Sequence, residues 1–281
     1  MEACSILGEG LSSAQVQRGK WVMGMAGRLD GVLDRLVMRR ALRRWRKAAD
    51  AAETQDLESL RRLRGIARQH RHHIDRVLHS AEGRLALPVI GPNPIRRPPG
   101  SDWAWRPDLW RGPVPAAGHA GIESRTPLCD GATLFHDCRV SEITTRQIRN
   151  RREEDIAPFG LRMDVFHFDG SFLSIVLDLP SEAVNGLRTK HLIRLDTIVE
   201  MEKPLEIFAR LNVKHGPNVE QVVREMPLHD PEVMVEFDLF YTKLNEKRVE
   251  KAWVDLIFEG PQLNQIVLRD VTLSRRPRAE L

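Results

Sequence analysis

The 281-residue chain is 42% hydrophobic and 29% charged, an ordinary globular mix that excludes wholesale disorder, collagen-like repeats and low-complexity classes. That length can bury one large core or two smaller ones without a disulfide framework, and the three cysteines, Cys4, Cys129 and Cys138, are read as free thiols. Apolar runs such as 85–90, broken by Pro88, fall well short of the roughly 20 residues of a membrane-spanning helix, and the start Met1-Glu2-Ala3-Cys4 lacks the basic-then-apolar order of a secretory signal, so the cytoplasm is the expected location.

The net charge of +4 is unevenly placed: residues 1–84 hold 17 Lys and Arg against 10 Asp and Glu, and the rest of the chain 26 against 29. Arginine outnumbers lysine 35 to 8, which suits fork-like contacts with carboxylate or phosphate, although a GC-rich genome yields the same bias. The basic region, 1–84, reads as helix. Val22, Met25, Leu29, Val32 and Leu36 follow three-four spacing and then drift onto Met38, Leu42, Trp45, Ala49 and Ala52. Thr54 is placed to cap a further segment in which Leu57, Leu60, Leu63, Ala67, His70, Ile74 and Val77 recur at helical spacing, with Gly83 as its stop. Residues 50–55 hold neither Gly nor Pro, so one long helix and a hairpin both fit. Either form has a narrow apolar stripe and needs a partner surface.

Arg39, Arg40, Arg43, Arg44, Arg46 and Lys47 cover a wide helix face and suit an anionic membrane surface or nucleic-acid phosphate. A solvated face opposite the apolar stripe, or salt bridges in a homo-oligomer assembled through these helices, would use the same residues. No base-reading motif accompanies them, which weighs against nucleic acid.

A connector follows at 85–127. Nine of the 17 prolines fall within it, a density that leaves little regular structure. It also carries Trp103, Trp105 and Trp110, half of the tryptophans. Aromatics in an irregular segment usually pack down, so this stretch is expected to lie as a strap over the next domain.

From residue 128 to the end the pattern changes to short alternating runs separated by turn residues. Strands are predicted over 133–138, 142–148, 161–168, 172–179, 191–201, 205–213, 219–225, 233–241, 252–258 and 265–273. Ile207, Ala209, Leu211 and Val213 share one face, as do Val235, Phe237, Leu239 and Tyr241. Asp169-Gly170, Gly216-Pro217-Asn218, Asp230-Pro231 and Gly260-Pro261 mark turns. About ten antiparallel strands without intervening helices predict a mainly β protein with an α-helical N-terminal region, its strands packed as a jelly-roll-like antiparallel β-sandwich.

The extended run 205–213, the penultimate strand Ala252-Trp253-Val254-Asp255-Leu256-Ile257-Phe258 and the closing strand Gln265-Ile266-Val267-Leu268-Arg269-Asp270-Val271-Thr272-Leu273 resemble jelly-roll modules of the galactose-binding and carbohydrate-binding type. The resemblance covers roughly the last hundred residues and implies a fold without naming a ligand. Leu134-Phe135-His136-Asp137-Cys138, Phe168-Asp169-Gly170-Ser171-Phe172-Leu173-Ser174 and Ala209-Arg210-Leu211-Asn212-Val213-Lys214-His215-Gly216-Pro217-Asn218 look like an uncharacterised alphaproteobacterial family, which supplies no activity.

Jelly rolls often stack sugars on flat exposed aromatics. From residue 128 onward the chain has one Trp and one Tyr, Trp253 and Tyr241, a poor platform by themselves. Trp103, Trp105 and Trp110 of the strap would complete a glycan platform with Tyr241 if a ring stays exposed, whereas large aromatics are usually mostly buried. Cys129, His136, Asp137 and Cys138 lie close in sequence, with His119 nearby, but no metal-ligand spacing appears and neither metal nor cofactor is expected. For catalysis there are scattered pairs, His136-Asp137, His167-x-Asp169 and His229-Asp230, and the carboxylates Glu142, Glu236 and Asp238 that a sandwich glycosidase could use as acid and base. No nucleophile elbow, zinc helix or P-loop is present.

The sequence therefore points to a non-catalytic binding protein whose sandwich engages a glycan or protein partner while the basic helices mediate assembly or attachment at the membrane periphery. A carbohydrate-active enzyme and a nucleic-acid-associated accessory protein are the alternatives.

Overall fold

The computed structural model describes residues 35–86, 95, 97–152 and 155–278. The expected stripe through Val22, Met25, Leu29 and Val32, and Cys4, lie outside the described residues. The chain divides into two compact units, Met1–His70 and Arg71–Leu281.

In the first unit, helix α1 covers residues 35–51 and helix α2, Leu57–Ala86, begins after a short turn. The pattern is thus a hairpin. The cap of α2 is Asp56, whose carboxylate accepts from the Ser59 N–H at 2.9 Å, while the expected cap, Thr54, turns its hydroxyl back to the Ala51 carbonyl. Half-buried Ala41, Trp45 and Ala48 on α1 and Leu60, Leu63 and Ala67 on α2 recur at three- and four-residue spacing, which places each set on one helix face. Trp45 meets His70 edge-on at 5.6 Å.

In the second unit α2 runs past its expected stop at Gly83 to Ala86. Gly83 serves a close approach of two backbones instead: a Cβ on Gly83 would land on the carbonyl oxygen of Arg111, and one on Gly112 would strike the carbonyl of His79. Strand β1 (Trp103–Trp105), a single helical turn α3 (Asp108–Arg111), β2 (Gly118–Ala120) and β3 (Thr126–Cys129) follow. Next come β4 (Ala132–His136), β5 (Ile143–Arg149), β6 (Phe159–Val165), β7 (Leu173–Asp178) and the turn α4 (Ser181–Val184). The chain ends in β8 (His191–Met201), β9 (Glu206–His215), β10 (Asn218–Glu225), β11 (Glu232–Asp238), β12 (Val249–Glu259) and β13 (Asn264–Pro277).

These strands make two antiparallel sheets that pack as a β-sandwich. The first is ordered β11-β8-β13-β6-β5-β2, with β1 added to β13, and the second β10-β9-β12-β7-β4-β3. β1, β2 and β3 come from the proline-rich stretch and extend both sheets. The β9–β10 hairpin closes through Gly216, at φ +60, followed by Pro217, the order a tight type II′ turn requires. Inward residues alternate along most long strands, with a shift at the β13 irregularity between Leu268 and Asp270, and Leu134, Ile175, Leu211, Phe237, Val254, Phe258 and Leu273 are almost wholly withdrawn from water. Each such large apolar side chain contributes about 1.5–3 kcal/mol.

One buried ion pair fixes the strap end. Arg106, just after β1, reaches Asp270 on β13 with two parallel bonds of 2.7 and 2.9 Å, and Thr197 donates to the Asp270 carbonyl at 2.7 Å.

Candidate functional site

The aromatics expected to form a platform do not meet. Trp103 and Trp105 stack at 6.5 Å and 20°, but they take the side of β1 that matches core residue Leu273 and pack half-buried against the core. Trp110 is a correction: it is 0% exposed and its indole N–H donates to the Leu268 carbonyl at 2.9 Å, so no sugar can stack on it. Pro107 starts the single turn that points this ring inward. Tyr241 does not continue the face of Val235 and Phe237, because β11 ends at Asp238. It stands 79% exposed in the following loop, edge-on to Phe240 at 5.3 Å, with the Arg278 guanidinium 5.8 Å from its ring.

Arg39, Arg40, Arg43, Arg44, Arg46 and Lys47 are all exposed on α1. The candidate carboxylates are dispersed. Four strand-to-strand gaps separate β11, which holds Glu236 and Asp238, from β5 beside Glu142, a distance of about 19 Å. Glu236 is paired with Arg276 at 3.0 Å and Asp238 with Arg278 at 3.4 Å, and Glu142 accepts from the His167 N–H. The Cys/His cluster is structural. Cys138 N–H donates to His136 Nδ1 at 3.1 Å, so the proton sits on Nε2, which donates to the Ile122 carbonyl at 2.8 Å. Asp137 accepts from the Ser171 and Phe172 N–H groups and the Ser171 hydroxyl, and these bonds hold its carboxyl below the usual range. Burial pushes the Cys129 thiol up to about 12. Among the described residues no group of His, Cys, Asp and Glu has the arrangement of a metal site.

The first sheet turns a self-neutralised face outward: Arg162 pairs with Asp164 and Arg194 with Asp196 within their own strands. A shallow recess of about 230 Å³ there is lined by Glu200, Met201, Glu202, Gln265 and Val267. Burial works against ionisation of Glu200, but Arg269 and Arg152 hold its carboxyl low. Within that recess the charge of Glu200 is already matched by Arg152 and Arg269.

The outer face of the second sheet is different. Alternation that sends Ile207, Ala209, Leu211 and Val213 inward sends Phe208, Arg210, Asn212 and Lys214 outward, and on β12 it turns Trp253, Asp255 and Ile257 the same way. Register then makes rungs: Gln221 opposes Asn212, Asn212 opposes Trp253, and Trp253 opposes Asp178. On the next rung Val223, Arg210, Asp255 and Val176 follow one another. Two polar members are nearly inaccessible, Asn212 at 1% and Asp255 at 3%. They are satisfied by a continuous chain: Gln221 Nε2 donates to Asn212 Oδ1 at 2.9 Å, Asn212 Nδ2 to Asp255 Oδ2 at 3.0 Å, and Arg210 Nε to the same carboxylate oxygen at 2.7 Å. The half-buried Trp253 ring borders this chain, with the Lys251 ammonium 4.8 Å from its centroid. Lys214 bonds Glu250 at 2.6 Å along the same edge and holds that carboxyl low.

The arrangement pairs one flat aromatic with a row of fixed donors and acceptors, the composition that binds a hydroxyl-rich ring through its apolar face and its edges. Within single strands the alternation separates these outward side chains from the core-facing ones. Their convergence is not legible there, because it depends on register between strands distant in sequence.

A family model described as a family of unknown function, DUF6478, matches residues 25–281. No curated protein matches the sequence. Solved structures resemble parts of the chain. A family 11 carbohydrate-binding module from Clostridium thermocellum, in complex with a mixed-linked tetrasaccharide, is 11% identical, with 59% of this chain and 99% of that chain covered and a TM-score of 0.33. A CBM22-1 xylan-binding domain from Paenibacillus barcinonensis Xyn10C is 9% identical, with 58% and 94% covered and a TM-score of 0.34. The enzymatically active domain of bacteriophage CBA120 tailspike protein 4 is 7% identical, with 51% of this chain but 19% of that chain covered and a TM-score of 0.37.

Proposed function

The chain belongs to the DUF6478 family, a family of unknown function, and for it we propose non-catalytic binding of a glycan on the outer face of the second sheet. The observation that carries this reading is the Trp253 ring set beside the bonded row Gln221–Asn212–Asp255–Arg210. A pyranose ring laid on Trp253 places its C–H face on the indole and directs its hydroxyls toward Gln221 and Arg210, the two members of the row that remain accessible. Because the row is already bonded within the protein, little ordering entropy is lost on binding. Lys251 must swing off the ring, a displacement that costs no more than an exposed cation–π contact, about 0.5–1 kcal/mol. From β10 to β7 the face spans about 14 Å at the usual strand spacing, room for a short oligosaccharide laid across the strands. Asp255 is occupied by Arg210 and Asn212 and orients these donors.

The test is a glycan array followed by titration calorimetry with the full chain, repeated with Trp253→Ala. Wild-type binding that falls at least about tenfold in the variant, with an unchanged circular dichroism spectrum, supports the reading. Absence of any glycan ligand for the wild type, or equal affinity of the variant, overturns it.

The exposed Phe240–Tyr241 pair favours a second reading, in which a protein partner docks on this loop. Aromatic anchors of this kind carry much of the energy in protein interfaces.

A further inference from the structure

We propose that the helical hairpin of residues 35–70 docks on the surface of anionic bilayers. This stretch carries 11 Lys and Arg against 4 Asp and Glu. Among the described residues none of Arg39, Arg40, Arg43, Arg44, Arg46 and Lys47 has an ion-pair partner, and in the whole stretch Arg62 alone pairs, with Glu58. The seam residues Ala41, Trp45 and Ala48 fix which way α1 faces. Opposite them the six cations fan over about 160° of the helix circumference at 3.6 residues per turn. This is a concentrated, uncompensated positive surface.

Charge alone would suit any polyanion, and the apolar residues decide among them. Leu36, Val37, Met38 and Leu42 are each more than half exposed on the same helix. Leu42 has Met38, Arg39, Trp45 and Arg46 as its neighbours one turn away on either side. Apolar and cationic side chains therefore stand next to one another, so that one surface can insert leucine and methionine at the headgroup–acyl boundary while arginines remain among the phosphates. Nucleic-acid phosphates would leave these apolar groups in water, and a second copy of the hairpin would bring two strongly positive surfaces together. Anionic lipid satisfies both features. No described helix is long and apolar enough to cross a membrane, so the hairpin lies on the surface.

The experiment uses the full chain and co-sedimentation with vesicles of phosphatidylcholine alone or mixed with phosphatidylglycerol, at low and high salt. Expected is binding to the mixed vesicles that weakens with salt, drops at least about tenfold in Arg39→Gln/Arg40→Gln/Arg43→Gln/Arg44→Gln, and drops in Met38→Ser/Leu42→Ser while keeping its salt dependence. All six substituted positions are exposed, and far-UV circular dichroism checks that the helices persist. No binding to mixed vesicles, equal binding to both compositions, or complete displacement from vesicles by equimolar duplex DNA would overturn the proposal. Trp253→Ala is expected to bind vesicles like the wild type, which keeps this result separate from that of the glycan assay.

Discussion

The side-chain amide of Asn212 donates to the Asp255 carboxylate at 3.0 Å across β9 and β12, on the face turned away from the core, and both residues are almost inaccessible to water. Buried polar groups persist where every member of a network is satisfied. Here Gln221 and Arg210 complete it from the neighbouring positions. A solvated sheet face needs no such row, whereas a binding surface gains from donors held in place before the ligand arrives.

Asp255→Ala removes the acceptor that Asn212 and Arg210 share. Leaving buried donors unmatched costs about 1–3 kcal/mol, reduced here because the Arg210 side chain is 37% exposed and can turn to water. Urea unfolding should show that loss, and glycan affinity should fall with it. A variant with full affinity would remove the polar row from the site.

Arg106 and Asp270 call for a different prediction, because both side chains are buried, at 1% and 4% exposure. Asp270→Ala takes the carboxylate away from two bonds of a buried guanidinium and is expected to destabilise by about 3–5 kcal/mol, while Arg106→Met/Asp270→Leu, which removes both charges, should cost less than the single change. The comparison is made by urea unfolding of the three proteins. If the double variant were as unstable as the single one, the pair would be holding β1 to β13 by more than charge compensation.

The sandwich was largely legible because its strands are long enough to show a period. For 191–201 the predicted and observed ends coincide, since alternation runs unbroken between turn residues. β1, β2 and β3 were hidden: three or four residues cannot display a period, and Pro127 within β3 reads as a breaker. The full burial of Trp110 was hidden for a related reason. A single helical turn after Pro107 leaves no sequence periodicity, yet it decides that the ring points inward. At the site, Trp253 and Asn212 lie forty-one positions apart and meet through register alone. On α1 the cations were visible as a face, and the structure adds which apolar residues stand beside them.

Cys129 offers a chemical check on the structural reading of the Cys/His cluster. Burial holds its thiol at about 12, so at about pH 8 almost none is thiolate, the reactive form. Iodoacetamide should label Cys129 slowly in the native protein and quickly in urea, as followed by peptide mass spectrometry. Rapid native labelling would place the thiol in an accessible, functional setting.

The last prediction concerns pH and the seat of α2. His79 Nδ1 faces the Pro113 carbonyl at 3.2 Å and Nε2 lies 3.7 Å from the Asp108 carboxylate, so only the imidazolium can donate toward both. Asp108, and secondarily the Pro113 carbonyl, raise the His79 pKa against burial, and His79 lowers that of Asp108. Arg111, 3.1 Å from Asp108, opposes the rise at His79. A raised histidine pKa contributes stability that is fully present below its unfolded value and is lost as pH climbs through the folded one. A depressed carboxylate pKa contributes stability present above its unfolded value and lost as pH falls through the folded one. The pair therefore acts most strongly between about pH 4 and 6.5, the two unperturbed values. The difference in unfolding midpoint between wild type and His79→Gln should be largest in that window and shrink toward both sides. Gly83→Ala, which forces the same backbones apart, should lower the midpoint at every pH. A His79→Gln difference that stayed constant from acid to alkaline pH would mean that His79 seats the helix by packing, without its charge.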